Sequence, residues 1–325
     1  MNLQNKVVLV TGGAGFIGST LVRELIKENA NVIVYDSMLI GSERHLDEVK
    51  DSIKLIKKDI RDSDFDQVLI KNDVEYVFNL AAEPYIPKCY EDPKRFFEIN
   101  ANGALNVMLA CKEAGVKRAL QYSTSEVYGT AHYVPMDENH PTLPLSTYAV
   151  SKLAADRLCF SIYHEQGLPV IILRQFNAYG PREAQPYVIP EVITQLSKSN
   201  KLKLGNIKAR RDFTYVEDAV KAAILLIKNK KAEGEAFNCG YGEDYSIEEI
   251  AHIIGEIMGQ DSINIIVEKR RFRPVDVQRL QCNFFKLHKL TGWLPKIDLR
   301  EGLRKTIEWF NENEKKWIWE KESST

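Results

Sequence analysis

Tyr148-Ala-Val-Ser-Lys152 sets a phenol and an ammonium four residues apart. On a helix that spacing puts both on one face. A free tyrosine, with a pKa near ~10, is a poor base at neutral pH, and a neighbouring Lys⁺ favours its phenolate. A phenolate held in this way takes a proton from an alcohol while a hydride leaves the same carbon. Tyr90-Glu-Asp-Pro-Lys94 has the same spacing, but Pro93 speaks against a regular helix there. Ser123-Thr124-Ser125-Glu126 adds hydroxyls and a carboxylate. Thr124 is placed to hydrogen-bond the oxygen that Tyr148 deprotonates, although a polar strand end capping a turn has the same look.

These side chains need a scaffold, and the sequence supplies one. Apolar runs at Val7–Val10, Asn31–Tyr35, Ile53–Ile56, Tyr76–Leu80, Ala119–Ser123 and Val170–Leu173 alternate with helical patterns, notably Phe96–Ala114 and Thr147–Gln166. Short apolar strands separated by helices predict an α/β fold, a Rossmann-type doubly wound parallel sheet covered on both faces. Ligands in such sheets bind beyond the carboxyl ends of the strands. The first strand runs into Thr11-Gly-Gly-Ala-Gly-Phe-Ile-Gly-Ser19, whose Gly13-x-Gly15-x-x-Gly18 fits a dinucleotide fingerprint, with Gly12 giving a second spacing. Glycine there allows a sharp turn, a close approach to a pyrophosphate and tight helix packing, and the helix N-terminus offers free N–H groups. Asp36, after the second strand, is placed to grip a ribose 2′-OH. A glycine turn in an ordinary α/β protein is the plainer alternative.

From about Phe176 turn-forming stretches separate shorter elements, with helices expected at Ile189–Ser197, Val216–Lys228, Ile247–Met258 and from Leu299 into the tail. The expected division is residues 1–175 as a dinucleotide-binding domain and 176–325 as a smaller C-terminal α/β substrate lobe, some segments of which return to the first domain. The tail, with Trp309, Trp317 and Trp319, reads as an amphipathic helix suited to docking or oligomer contact and fraying at Glu322–Thr325.

The 325 residues carry 44 basic against 45 acidic groups, so no overall field argues for nucleic acid or an anionic membrane. Cys89, Cys111, Cys159, Cys239 and Cys282 are scattered and form no CxxC, which predicts buried thiols in a reducing cytoplasm. The histidines, His132 and His140 among them, lack metal-ligand spacing, so no metal is expected. A strand that starts near the N-terminus and the lack of a membrane-length apolar run predict a soluble, cytoplasmic protein.

Glycine loop, Asp36, strand-end Ser/Thr and YxxxK together resemble the extended short-chain dehydrogenase/reductases, and among them the nucleotide-sugar epimerases, dehydratases and decarboxylases. STSEVYG (Ser123–Gly129), RQFNAYGPRE (Arg174–Glu183), RRDFTYVEDAV (Arg210–Val220) and RFRPVD (Arg271–Asp276) extend the likeness over nearly the whole chain. The resemblance implies NAD held by Gly12, Gly15, Phe16, Ile17, Gly18 and Asp36. Asp59 and Ile60, Leu80, Ala81 and Ala82, Asn100, Ser123, Tyr148 and Lys152 complete that cofactor site. It implies a UDP-sugar substrate met by Glu83, Asn177, Val188, Leu204, Arg211, Arg273 and Asp276. In these roles Thr124 bonds the C4 oxygen, Tyr148 is the C4 base and Lys152 lies on the nicotinamide ribose. Asn177 contacts the diphosphate, Arg211 and Arg273 clamp it, and Asp276 accepts from the uridine ribose. A guanidinium suits bidentate phosphate contact, though an Arg211–Asp212 surface pair would explain that arginine too. Asp36 implies NAD rather than NADP, because a carboxylate repels a 2′-phosphate. The family also implies a homodimer through Phe96–Ala114 and Thr147–Gln166, with Ala104, Leu105, Met108, Leu153 and Leu158 on the apolar faces. A core-facing stripe accounts for the same residues.

All these enzymes first make a 4-keto sugar. Family 4,6-dehydratases follow the Ser/Thr with Asp-Glu, the acid for the C6 hydroxyl and the base for C5. Here the pair is Ser125-Glu126, which keeps the base and weakens the acid. A 4-epimerase needs Tyr148 alone. The Ser-Glu pair also resembles UDP-glucuronic acid decarboxylases, with Arg273 or Arg270 assisting. The blocks STSEVYGTAHYVP, FNAYGPREAQPYVIP and LGNIKARRDFTYVEDAV look closest to NAD-dependent dehydratases of UDP-N-acetylhexosamines in nonulosonic-acid and related surface-sugar pathways. A UDP-GlcNAc-like substrate and C5 chemistry at Glu126 are therefore expected. A non-catalytic NAD-binding sensor would show a broken Tyr/Lys pair or missing arginines, and both are intact.

Overall fold

Apolar runs become interior strands when helices cover both faces of the sheet they form. The computed structural model describes residues 2–260, 262–313, 317 and 319. Its strands are β1 (Val7–Thr11), β2 (Asn31–Tyr35), β3 (Ile53–Ile56), β4 (Tyr76–Asn79), β5 (Arg118–Thr124) and β6 (Val170–Gln175). Later come β7 (Asn177–Tyr179), β8 (Lys201–Leu204), β9 (Arg210–Tyr215), β10 (Ala236–Cys239), β11 (Asp244–Ser246) and β12 (Asn264–Val267). Seven form one sheet in the order β10-β6-β5-β4-β1-β2-β3, every neighbouring pair parallel. This is the expected Rossmann-type sheet, with its direction of winding reversed between β1 and β4. The seventh strand, β10, had no sequence expectation.

Alternation along the strands divides the core. Val8 and Val10 of β1 pack with Leu21, Leu25 and Phe237 on one face, while Leu9 packs with Ile33, Val77 and Met108 on the other. Each such side chain, fully buried, contributes ~1.5–3 kcal/mol. The first cluster also takes in Ala219, Ala223 and Ile227 from helix Val216–Ile227, so this later segment packs on the N-terminal sheet. A separate cluster joins Val192, Leu202, Phe213, Ile250 and Leu303 around the sheet β11-β9-β7 and the pair β12-β8.

Two expectations change. The stretch Phe96–Ala114 is not one regular helix: Pro93–Phe97 leads into a π-helical turn, Glu98–Gly103, and then helix Ala104–Glu113. That wide turn carries Asn100, whose amide bonds the Glu83 backbone and Ser151. Of the tail tryptophans, Trp317 is buried in the lobe's own core, with Trp309 and Trp319 partly buried against it. Trp317 stacks on Phe310 at 5.1 Å and its indole donates to Thr194 at 2.9 Å. The expected fraying at 322–325 lies outside the described residues. No helix among the described residues is long and apolar enough to cross a membrane, and no cluster of three or more metal-ligating side chains occurs among them. All five cysteines are free and buried. His140 is buried and accepts from the His132 N–H at 2.9 Å.

Candidate active site

The carboxyl ends of the sheet strands open into a cleft of about 500 Å³. Its floor is the glycine loop. Gly12 turns at φ +67°, and a Cβ there would stand 2.8 Å from the Ala81 nitrogen. A Cβ on Gly18 would lie 2.0 Å from the Gly12 carbonyl oxygen, so helix Phe16–Lys27 can seat against the loop only without one. At Gly15 the nearest atom to a Cβ is the Gly12 oxygen at 3.2 Å; its other side faces the cleft. The Asp36 carboxylate accepts the Ala14 and Met38 N–H groups, each at 2.9 Å, and burial pushes its pKa up against those bonds. Behind the loop, His45 bonds the Ala14 carbonyl through Nδ1 at 2.8 Å. Burial holds His45 down to about 4, so the neutral ring must carry its proton on Nδ1 to donate there.

Of the expected cofactor residues, Phe16, Ile17, Asp59, Ile60, Leu80 and Ala81 line the cleft, as do Ala82 and Ser123. Asp59 does so with its side chain engaged by Arg61 at 2.8 and 2.9 Å. Asn100, Glu83 and Ser125 do not form its wall. Asn100 is buried behind it in the bonds already described. Glu83 turns its carboxylate to Arg95 at 2.7 Å. Ser125 begins the 3₁₀ turn Ser125–Tyr128 and is buried outside the cleft wall, whereas Glu126, next in that turn, lines the cleft.

Helix Thr147–Gln166 opens with Ser146 accepting the Ala149 N–H at 3.1 Å, and buries Tyr148 and Lys152 along one face. Thr124 Oγ1 accepts the Glu126 N–H at 3.2 Å and donates to the Tyr148 oxygen. The expected phenolate is not the resting state here. Burial pushes the Tyr148 phenol up, Thr124 pulls it down, and the Glu126 and Cys89 charges add to the rise. The Lys152 ammonium donates instead to the Tyr122 carbonyl at 2.5 Å, and burial lowers its pKa to about 8. Desolvation outweighs the lysine's help until a further positive charge enters the cleft.

On the opposite wall, Arg211 Nη2 reaches Asp276 Oδ1 at 3.3 Å, Arg273 lies 3.8 Å from the same oxygen, and Asn206 donates to Asp276 Oδ2 at 3.0 Å. Arg211 and Asp212 are not an ion pair, because neighbours on β9 face opposite ways. Asp212 instead accepts the N–H groups of Tyr241, Gly242 and Cys282. Asn177, Val188 and Leu204 line the cleft too, and the buried Asn177 Oδ1 has no partner among the described residues.

The GDP-mannose 4,6 dehydratase family profile matches residues 9–306. The UDP-N-acetyl-alpha-D-glucosaminuronate decarboxylase of Bacillus cytotoxicus is 35% identical over 95% of this chain and 99% of its own. The dTDP-D-glucose 4,6-dehydratase of Homo sapiens is 32% identical over 96% and 92%. The solved UDP-glucose 4-epimerase of Thermus thermophilus in complex with NAD superposes with a TM-score of 0.85 at 30% identity, covering 94% of this chain and 99% of that one. The chain belongs to the nucleotide-sugar epimerase and dehydratase family of extended short-chain dehydrogenase/reductases.

This nucleotide-sugar enzyme has a cleft that fits NAD on its own geometry. Gly15 leaves a cradle a side chain would fill, and the Asp36 oxygens, each engaged once, keep lone pairs for ribose hydroxyls. Sequence reasoning passed over Tyr85, Glu183 and Tyr187, which also line the cleft. Glu183 and Tyr187 stood inside a quoted block, yet nothing in residue type or spacing marked them.

Proposed function

We propose that this protein is an NAD-dependent dehydratase of a UDP-N-acetylhexosamine, working through a 4-keto sugar in surface-sugar formation of the nonulosonic-acid type. Bound NAD supplies a hydride acceptor at C4 and a positive ring that offsets the burial of the phenol. Tyr148 takes the C4 hydroxyl proton while Thr124 holds the oxygen, and Lys152 meets the nicotinamide ribose. Arg211 and Arg273 bind the diphosphate with the charge and fork geometry it requires, Asp276 takes the uridine ribose, and Asn177 donates its amide to the diphosphate while its Oδ1 is left for a substrate hydroxyl. Once C4 is a ketone, the C5 proton is acidified and Glu126 removes it.

The observation that carries this reading is Glu126 itself. It lines the cleft, and its charge is felt by both Tyr148 and Arg211. A 4-epimerase has no use for that carboxylate. Decarboxylation of a hexuronate is the second reading: Arg273 lines the cleft, whereas Arg270 is exposed and pairs with Glu268 at 2.9 Å. Product NMR after offering UDP-GlcNAc, UDP-Glc and UDP-GlcA in D₂O separates the three reactions. Glu126→Gln is expected to keep reduced-nicotinamide formation while C5 deuterium uptake and water loss fall on the order of 10²–10⁴-fold. Normal turnover in that variant returns the assignment to an epimerase.

A homodimer and a cytoplasmic setting belong to the same proposal. Ala104 and Met108 are buried in the protein's own core, so they leave the dimer face proposed for these helices. Phe97, Leu109, Val150 and Phe160 are the large apolar side chains exposed on these helices and available to a partner. Five unpaired buried thiols agree with a reducing compartment.

A further inference from the structure

The dehydratase reading leaves one proton without a source. Elimination at C5–C6 expels the C6 oxygen, which departs as water only if something protonates it. Ser125 offers only an alcohol, a far weaker acid than a carboxyl, and stands outside the cleft wall, and Glu126 is the base. A second carboxyl stands in the cleft. Glu183 follows the turn Gly180-Pro-Arg182, is 1% exposed and lines the cavity. One oxygen, Oε1, accepts the Gly180 N–H at 3.3 Å. Among the described residues no cation pairs with this side chain, and Oε2 has no hydrogen-bond partner. A carboxylate buried so thinly is costly, so the group is held neutral, and burial indeed pushes Glu183 well above the usual carboxylate range. A neutral carboxyl is a donor. Glu183 lines the same cleft as Tyr148, Thr124 and Glu126, the cleft in which the sugar's reacting carbons must lie.

We propose that Glu183 is the acid that protonates the departing C6 hydroxyl, and this rests on the dehydratase reading above. The balance closes. The C5–H pair becomes the C5=C6 bond and its proton goes to Glu126. The C6–O bond breaks with its pair on oxygen, and the Glu183 proton completes a water molecule. The double bond then takes back the hydride at C6, and Glu126 returns its proton to C5. Glu183 has lost one proton and Tyr148 has gained one, from the C4 hydroxyl. Both groups line the cleft, and proton exchange with solvent there returns them to their starting states.

The test offers UDP-GlcNAc in D₂O to the NAD-loaded wild type and to Glu183→Gln, an isosteric change that keeps the bond from Gly180 in reach of the amide oxygen but is no acid. Three signals are read: reduced-nicotinamide absorbance, deuterium at C5, and loss of water by mass. The expected variant keeps the first two and loses water on the order of 10²-fold more slowly. Water loss at the wild-type rate overturns the assignment. A parallel fall in all three overturns it as well, since Glu183 then serves folding or binding. Failure of the reading beneath it looks different: the wild type itself would release no water and would invert C4.

Discussion

Two Tyr-x-x-x-Lys pairs occur in this chain, and the fold treats them in opposite ways. Tyr148 and Lys152 ride one continuous helix, Thr147–Gln166, and both are buried at the cleft. Tyr90 ends the short helix Ile86–Cys89, and Lys94 belongs to the next, Pro93–Phe97, which Asp92 caps by accepting the Arg95 N–H. The break between them falls where proline, lacking an N–H and fixed in φ, can begin a helix but not continue one. Tyr90 is exposed and Lys94 points outward toward Glu98 at 3.6 Å. Identical spacing therefore carries no chemistry by itself. Helix continuity puts the two groups on one face, and burial against β5 gives them a setting in which charge matters.

The sharpest break in the comparison is Tyr148→Phe. It removes the phenolic oxygen that Thr124 holds and leaves the ring's packing intact. Reduced-nicotinamide formation on adding the UDP-sugar is expected to fall on the order of 10²–10⁴-fold, the usual size of a general-base contribution. Stopped-flow absorbance measures it, and a fall below tenfold would remove Tyr148 from the C4 step.

Lys152 gives the next largest effect, and it is readable without substrate. Its pKa is about 8 in the fold against 10.5 unperturbed, chiefly because burial disfavours the ammonium. Between those values the unfolded chain binds more protons than the folded one, so stability rises with pH across that window. Below about pH 8 the folded protein bears the full cost of the buried charge. Lys152→Met removes this term. Relative to that variant, the wild type is expected to gain on the order of 2–3 kcal/mol between pH 7 and pH 10.5. Urea titrations at both pH values check it; parallel profiles would mean the ammonium is not buried in solution.

Much of this contrast was legible in the sequence. The proline inside the decoy, the strand-end position of Thr124 and the apolar runs of β1 to β6 all mark themselves through local chemistry. What stayed hidden depends on tertiary contact. β10 is four residues long and is a strand only because β6 offers a partner, Ala236 opposite Ile172 and Cys239 opposite Gln175. Ser125 and Glu126 are neighbours in sequence, and only the 3₁₀ turn shows that Glu126, not Ser125, forms the cleft wall. Lys152 was read as the phenol's partner, but its ammonium finds a backbone carbonyl, which no residue-type pattern can display. Glu183 is one acidic residue among many until the fold buries it with no cation paired to it among the described residues.

The smallest effects belong to the decoy. Lys94→Ala loses an exposed ion pair with Glu98, four residues on, expected to cost about 0.3–0.5 kcal/mol at most. Tyr90→Phe is more discriminating, because the Tyr90 oxygen, although exposed, feels the charges of Arg273, Glu126 and Asp276 at the cleft. Loss of its hydroxyl therefore leaves the chemical step unchanged and shifts only how the charged substrate is held. The expected result is kcat unchanged and KM raised about twofold, since a surface substitution of this kind seldom exceeds ~0.5 kcal/mol. A kcat loss comparable to that of Tyr148→Phe would mean that exposure and helix continuity are the wrong criteria for choosing between the pairs.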